Sequence, residues 1–236
     1  MKNSLLTIKN LNAWYIPEKK VLSNFSLELA DHEAAGLIGL NGAGKTTFIK
    51  ILSGLIPTFQ ADEISFEGKA VNLRDSDFKA SRYTVFAEDN SFRYFTFREY
   101  LSYVFTSYGK KQPEISELIQ GFHFEDYTDI LMKDLSTGNR KKAFLITALA
   151  LNPALLFLDE PVNGLDFQST EYLYQQISGY KKYGTVLFSS HILESITLTS
   201  DRVFVLEKGQ IRQTFESGQI DAANMQKNYS EQNTSG

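Results

Sequence analysis

Two patterns of apolar positions divide the chain. "SLLTIKNLNAWY" and "VLSNFSLELA" alternate apolar and polar residues, as strands with one buried face do. "AAGLIGL", "ALLFLDEP" and "GTVLFSSH" carry nearly unbroken apolar runs, which suit strands buried on both faces. The last two end in polar residues. A helix is predicted from Thr46, stopping at Gly54 with Pro57 beyond it, and "RKKAFLITALAL" predicts another, closed by Asn152-Pro153. "EISFEGKAVNL" and "RVFVLEKGQIRQTF" read as hairpins turning at Glu67-Gly68 and Lys208-Gly209. Between about residues 91 and 133, aromatic residues recur at helical spacing ("FREYLSYVF", "ISELIQGF"), which predicts a helical insertion. The pattern is α/β, with polar residues gathered at strand C-termini, where open parallel sheets bind ligands.

Composition changes this picture only by exclusion. At 236 residues, 42% hydrophobic and 22% charged, the chain suits one α/β domain over residues 1–221 with a polar tail from Ala222. The net charge of −4 gives no basic footprint for nucleic acid. With no cysteine, disulfides and thiolate-bound zinc are excluded. Every apolar run falls short of the ~18 residues of a membrane span, so direct membrane insertion is not expected and any membrane role would come through a partner.

The candidate chemistry begins at "GLNGAGKTT", residues Gly39, Leu40, Asn41, Gly42, Ala43, Gly44, Lys45, Thr46 and Thr47. It fits G-x-x-x-x-G-K-[ST] between a predicted strand and a predicted helix, the context a phosphate-binding loop requires. Glycines let the backbone wrap so that successive N–H groups face phosphate oxygens, with help from the helix N-terminus. Lys45 would reach the β- and γ-phosphates, and the Thr46 hydroxyl would ligate Mg²⁺. A glycine-rich turn that merely caps a helix is the plain alternative. "LLFLDEP" supplies the acidic element such a site needs: Asp159 to hold the metal and Glu160 to polarise the attacking water.

Three further segments carry a family resemblance. "LSTGN" at Leu135–Asn139 resembles the signature segment of ABC ATPases, "NGLD" at Asn163–Asp166 their D-loop, and "SSH" ending at His191 their switch histidine. Tyr15 matches the aromatic that stacks on adenine, with Trp14 beside it as the other candidate. The resemblance covers roughly residues 4–217 and implies a P-loop NTPase core, an antiparallel β subdomain and a helical subdomain over about 90–138. It also implies ATP and Mg²⁺ as cofactors and His191 at the γ-phosphate. Ser136 and Gly138 would cap the nucleotide of a second copy in a head-to-tail dimer. A separate transmembrane permease subunit would hold the chain at the inner, cytoplasmic face of the cell membrane.

The sequence departs from the family pattern in two places. Thr137 replaces the usual first signature glycine and Asn139 the usual glutamine; a β-branched residue at 137 is expected to narrow the loop's backbone freedom. In "TVFAEDNSF", Glu88 stands where the family has a glutamine that touches Mg²⁺, or the alignment slips by one to Asp89. Glutamate still ligates Mg²⁺ but adds charge and cannot donate a hydrogen bond. A glutamate here resembles the pattern of lantibiotic-immunity exporters, a one-residue clue to substrate, and the "NGAGKTT…LSGLIP" style resembles exporter components more than importers. A soluble, non-transport ABC ATPase and an ATP-dependent binding module with little hydrolysis are the alternatives.

Overall fold

The unbroken apolar runs form the middle of a mostly parallel sheet. The computed structural model describes residues 3–221; the tail expected from Ala222 lies outside the described residues. In chain order the strands are β1 (Ser4–Ile16), β2 (Lys19–Ala30), β3 (Ala34–Ile38), β4 (Phe59–Gln60), β5 (Glu63–Phe66), β6 (Lys69–Ala70), β7 (Arg82–Val85), β8 (Leu155–Leu158), β9 (Thr185–Ser190), β10 (Arg202–Glu207) and β11 (Gln210–Glu216). The helices are α1 (Lys45–Leu52), α2 (Ser76–Ser81), α3 (Phe97–Ser107), α4 (Ser116–Gly121), α5 (Thr137–Leu151), α6 (Phe167–Gly179) and α7 (Leu193–Thr199). One sheet runs β11-β10-β3-β9-β8-β7, parallel except at its β11 edge. The other is antiparallel, β2-β1-β5-β6, with β4 also on β1.

The two-residue period of a strand explains why β3, β8 and β9 are apolar throughout. Ala34 and Ile38 enter one hydrophobic cluster with Leu156, Leu158, Val186 and Phe188, covered by α3, α5, α6 and α7. Their neighbours Ala35 and Leu37 point the other way, into a second cluster with Leu155, Phe157 and Leu187, where α1 and the antiparallel sheet close over them. The helical insertion has no separate core, since Phe97, Tyr100 and Leu101 of α3 belong to the first cluster. From Lys141 to Leu151 α5 is buried on every side, as expected where a helix is apolar around most of its circumference, and Asn152 in the left-handed region closes it before Pro153. Both predicted hairpins turn where expected, with left-handed backbone at Glu67-Gly68 and Lys208-Gly209. Among the described residues, no helix is long and apolar enough to cross a membrane.

Parallel pairing places the ends of β3, β8 and β9 along one edge, so Gly39, Asp159 and His191 emerge together. Helix α1 is pinned beneath this edge by Phe48, whose ring centroid lies 4.3 Å from that of Phe25 on β2, with both residues fully buried. Replacing Phe48 by alanine should lower unfolding free energy by about 3–5 kcal/mol, read from urea unfolding at neutral pH. A loss below about 1 kcal/mol would show that α1 does not depend on this contact.

Candidate functional site

The loop after β3 is shaped by its glycines. A side chain at Gly39 would stand 2.5 Å from the Leu206 carbonyl oxygen, and Gly42 and Gly44 take φ of 83° and 114°. Ala43 is buried under the loop in the second cluster, while Leu40 is exposed at the rim. Gly44 caps α1, so Lys45 starts the helix, one residue earlier than the sequence pattern suggests. The Lys45 side chain is almost buried: its Nζ donates to Gly39 O at 2.6 Å and Leu40 O at 3.4 Å, and lies 3.2 Å from Glu160 Oε1.

The ends of β8 and β9 complete the arrangement. Asp159 is fully buried; it accepts from Thr46 Oγ1 at 3.1 and 2.9 Å and from Ser189 Oγ at 2.7 Å. The Glu160 N–H donates to the same Ser189 oxygen at 2.9 Å, and Glu160 sits at φ 46°, a left-handed conformation rare for glutamate. Its carboxylate is clamped between Lys45 and His191, whose Nδ1 lies 2.8 Å from Oε2. An ammonium on one oxygen and an imidazole on the other fix the direction of this carboxylate.

A cavity of about 400 Å³ opens over this cluster, lined by Tyr15, Asn41, Lys45, Thr46, Glu160 and His191 among others. Tyr15 presents a largely exposed ring, and its hydroxyl is 3.2 Å from Thr47 Oγ1. Val21 and Asn163 also line it, and sequence reasoning missed both. Val21 belongs to a strand whose alternation marks only its core face. Asn163 opens "NGLD", a segment whose local pattern carries no sign that its first residue walls a cavity.

Ser136, Gly138 and Glu88 lie elsewhere. Ser136 caps α5, its Oγ accepting from the Asn139 N–H at 3.1 Å, and both Ser136 and Thr137 are exposed. Gly138 lies against Gly164: a side chain there would meet Gly164 O at 2.3 Å. Thr137 already has helical backbone, so the expected restriction from its β-branched side chain does not arise. Glu88 lines a second cavity of about 400 Å³ with Thr137, Arg140, Asn163 and Gly164. Asp89 also lines it, but its Oδ1 is engaged by the Ser91 N–H at 2.7 Å. Among the described residues, no three His, Cys, Asp or Glu side chains form a metal cluster.

Helix α5 is tied to the Asn163–Asp166 segment by an ion pair, Lys142 Nζ to Asp166 Oδ2 at 2.6 Å. Partial burial opposes the charged form of Asp166, but bonds from Lys142 and Ser169 outweigh it and hold the carboxyl well below the usual range. Asp166 in turn caps α6 through the Ser169 N–H at 2.8 Å.

The family profile described as "ABC transporter" matches residues 22–163. This chain belongs to the ABC transporter family. A putative ABC transporter ATP-binding protein, AlbC of Bacillus subtilis (strain 168), is 35% identical over 223 residues, covering 92% of this chain and 93% of its own. The energy-coupling factor transporter ATP-binding protein EcfA2 of Clostridium perfringens (strain 13 / Type A) is 34% identical, covering 87% of this chain and 78% of its own. A solved ATP-binding subunit of an ABC transporter superposes with TM-score 0.86 at 25% identity, covering 96% of this chain and 98% of that one. The dimeric cassette MJ0796 shares the fold, with TM-score 0.80 at 19% identity over 90% of this chain and 99% of that one. The chain is therefore the ATP-binding subunit of an ABC transporter and an ATPase.

Within this ABC cassette the two signature positions differ in tolerance. Gly138→Ala should displace the Asn163–Asp166 segment, because the obstructing atom is backbone, and should destabilise the fold by about 1–3 kcal/mol. Thr137→Gly should change stability by about 1 kcal/mol or less. Denaturant unfolding of both variants checks the contrast; equal losses would contradict it.

Proposed function

We propose that two copies of this chain pair head to tail around two ATP molecules and that their closure drives export through a separate permease. One observation carries the pairing. The cavity around Lys45 is lined by the phosphate loop, Glu160 and His191, whereas the α5 N-terminus, with Ser136 exposed and Gly138 half-buried, is not part of it. Such a helix N-terminus, with unsatisfied N–H groups, suits the γ-phosphate of an opposing copy. The dimeric cassette MJ0796 shares this fold, which supports the arrangement.

The geometry supports a role for each residue. Lys45 would turn from Glu160 and the loop carbonyls toward the β- and γ-phosphates, and the amides of residues 39–47 would share the phosphate charge. The Thr46 hydroxyl and Asp159 carboxylate are adjacent hard oxygen donors, a set that fits Mg²⁺ completed by phosphates and water. Bound there, Mg²⁺ would neutralise charge on the phosphates, with Glu88 joining its shell. Because Glu88 lies outside the Lys45 cavity, that role includes a movement of its loop toward Asp159. Glu160, released by Lys45, would take the proton of the attacking water, and His191 would hold its direction and face the γ-phosphate. Tyr15 would stack on adenine; Trp14 is half-buried and does not line the cavity.

The permease would meet the aromatic surface beside α3, where Tyr94 is 76% exposed and Tyr103 51%. Phe97, Tyr100 and Phe105 turn inward instead, so the aromatic run serves both core and surface. This contact would place the chain at the inner face of the membrane. Export is supported by the "NGAGKTT…LSGLIP" style, which resembles exporter components, and Glu88 resembles the lantibiotic-immunity pattern among them.

Lys45→Ala should abolish measurable turnover and most ATP binding, because it removes the charge that neutralises the β- and γ-phosphates. Calorimetry at moderate salt checks this, and unchanged affinity would remove Lys45 from the site. Glu160→Gln should bind ATP, hydrolyse it about 10²-fold or more slowly, and accumulate as a dimer, since glutamine keeps the shape but cannot serve as base. Light scattering with ATP, with ADP and without nucleotide reads the dimer. A protein that stays monomeric with ATP, both alone and with its permease, would overturn the head-to-tail reading.

A further inference from the structure

Helix α5 carries a buried cation that the roles above leave unused. Lys141 is only 6% exposed, and its Nζ donates to Phe86 O at 2.8 Å and Ala87 O at 2.7 Å. These carbonyls follow the end of β7 and directly precede Glu88. One helical turn before Lys141 stand Ser136 and Gly138. A single side chain thus joins the loop that carries Glu88 to the helix that presents the signature.

The surroundings show why the amine stays there. Asp159 and Glu160 face it from the end of β8, and Asp89 and Glu88 from the loop itself; its helix neighbours are Arg140 and Lys142, the latter engaged by Asp166. Burial lowers the Lys141 amine to about 8, while these carboxylates act in the opposite direction. A long flexible cation in a well-packed helix face is otherwise unfavourable, so its two carbonyl bonds mark it as a tether.

We propose that Lys141 is a positioning residue that makes the Glu88 loop and the N-terminal turn of α5 move as one body. The proposal rests on the nucleotide-site reading above, in which Glu88 approaches Asp159 and Ser136–Gly138 meets an opposing nucleotide. Lys141 would then carry the first displacement into the second. It touches neither nucleotide nor metal and acts through the backbone preceding Glu88.

Two readouts on the full chain test it. By hydrogen exchange without nucleotide, Lys141→Met should speed exchange in residues 86–90 by about tenfold or more, because charge-assisted bonds to the loop are lost, and should leave β8 and β9 protected. Lys141→Arg, which keeps charge and donors, should restore most of the protection. In steady-state turnover, Lys141→Met should lower kcat about tenfold with KM for ATP within about twofold, as expected when support around a metal site is lost. Glu88→Gln added to Lys141→Met should then bring little further loss, since both act on one element. Unchanged exchange in residues 86–90, or fully additive losses with Glu88→Gln, would overturn the proposal. A wild-type chain without turnover would instead count against the catalytic reading, and the exchange measurement would still decide whether Lys141 holds the loop.

Discussion

A fully buried carboxylate sets the terms for the rest of the site. Asp159 has no solvent exposure, and its hydrogen bonds come from Thr46 at the start of α1 and Ser189 on β9. A carboxyl group in such a place is tolerated only where hydrogen-bond partners surround it. Meeting that requirement brings three elements to one point: the strand that bears the acid, the helix after the Gly39–Gly44 loop and the neighbouring strand. Ser189 also receives the Glu160 N–H, so the bond that satisfies Asp159 helps hold Glu160 at its positive φ. The strained glutamate and the buried aspartate are parts of one network.

What was legible in the sequence follows from which side chains face a core. β3, β8 and β9 stood out because each is buried on both faces, and the polar residues after them could only lie at the sheet's edge. β7 did not stand out: "RYTV" is short, sits at the edge of its sheet, and has Tyr83 and Thr84 only half-buried. Helices α6 and α7 carry weak apolar faces and were equally easy to overlook. In the candidate site, the Gly39–Thr47 loop, Asp159, Glu160 and His191, which the structure brings together, were legible as local motifs because each occupies one strand end. Their mutual bonds were not legible, since they join separate strand ends and loops far apart in the chain: His191 and Glu160 are 31 positions apart, Thr46 and Asp159 are 113.

Charge was the least readable signal. "RKK" at the start of a helix suggests a solvated face, yet Lys141 and Lys142 are both buried and reach in different directions. Neighbouring helix positions differ by about 100°, so one amine meets the carbonyls before Glu88 and the other meets Asp166. Helix α5 is thereby fastened to the loops on either side of it. Sequence alone shows two adjacent lysines; only the packing shows that each has a separate acceptor.

The altered signature takes a different meaning in this setting. The first glycine of the family pattern is replaced by Thr137, which opens α5 with ordinary helical backbone and an exposed side chain. Nothing at that position demands positive φ or close approach. The second glycine is retained where the constraint is severe, since any Cβ at Gly138 would meet the Gly164 carbonyl. That contact presses the α5 N-terminus against the turn leading to Asp166, which Lys142 secures from the next turn of the helix. The substitution therefore falls where the chain can accept it, and the contact that fixes the direction of the α5 N–H groups is preserved. Threonine adds a hydroxyl and a methyl beside Glu88 and Arg140 in the second cavity. Its effect is then on the chemistry of that cavity, not on the backbone path of the signature.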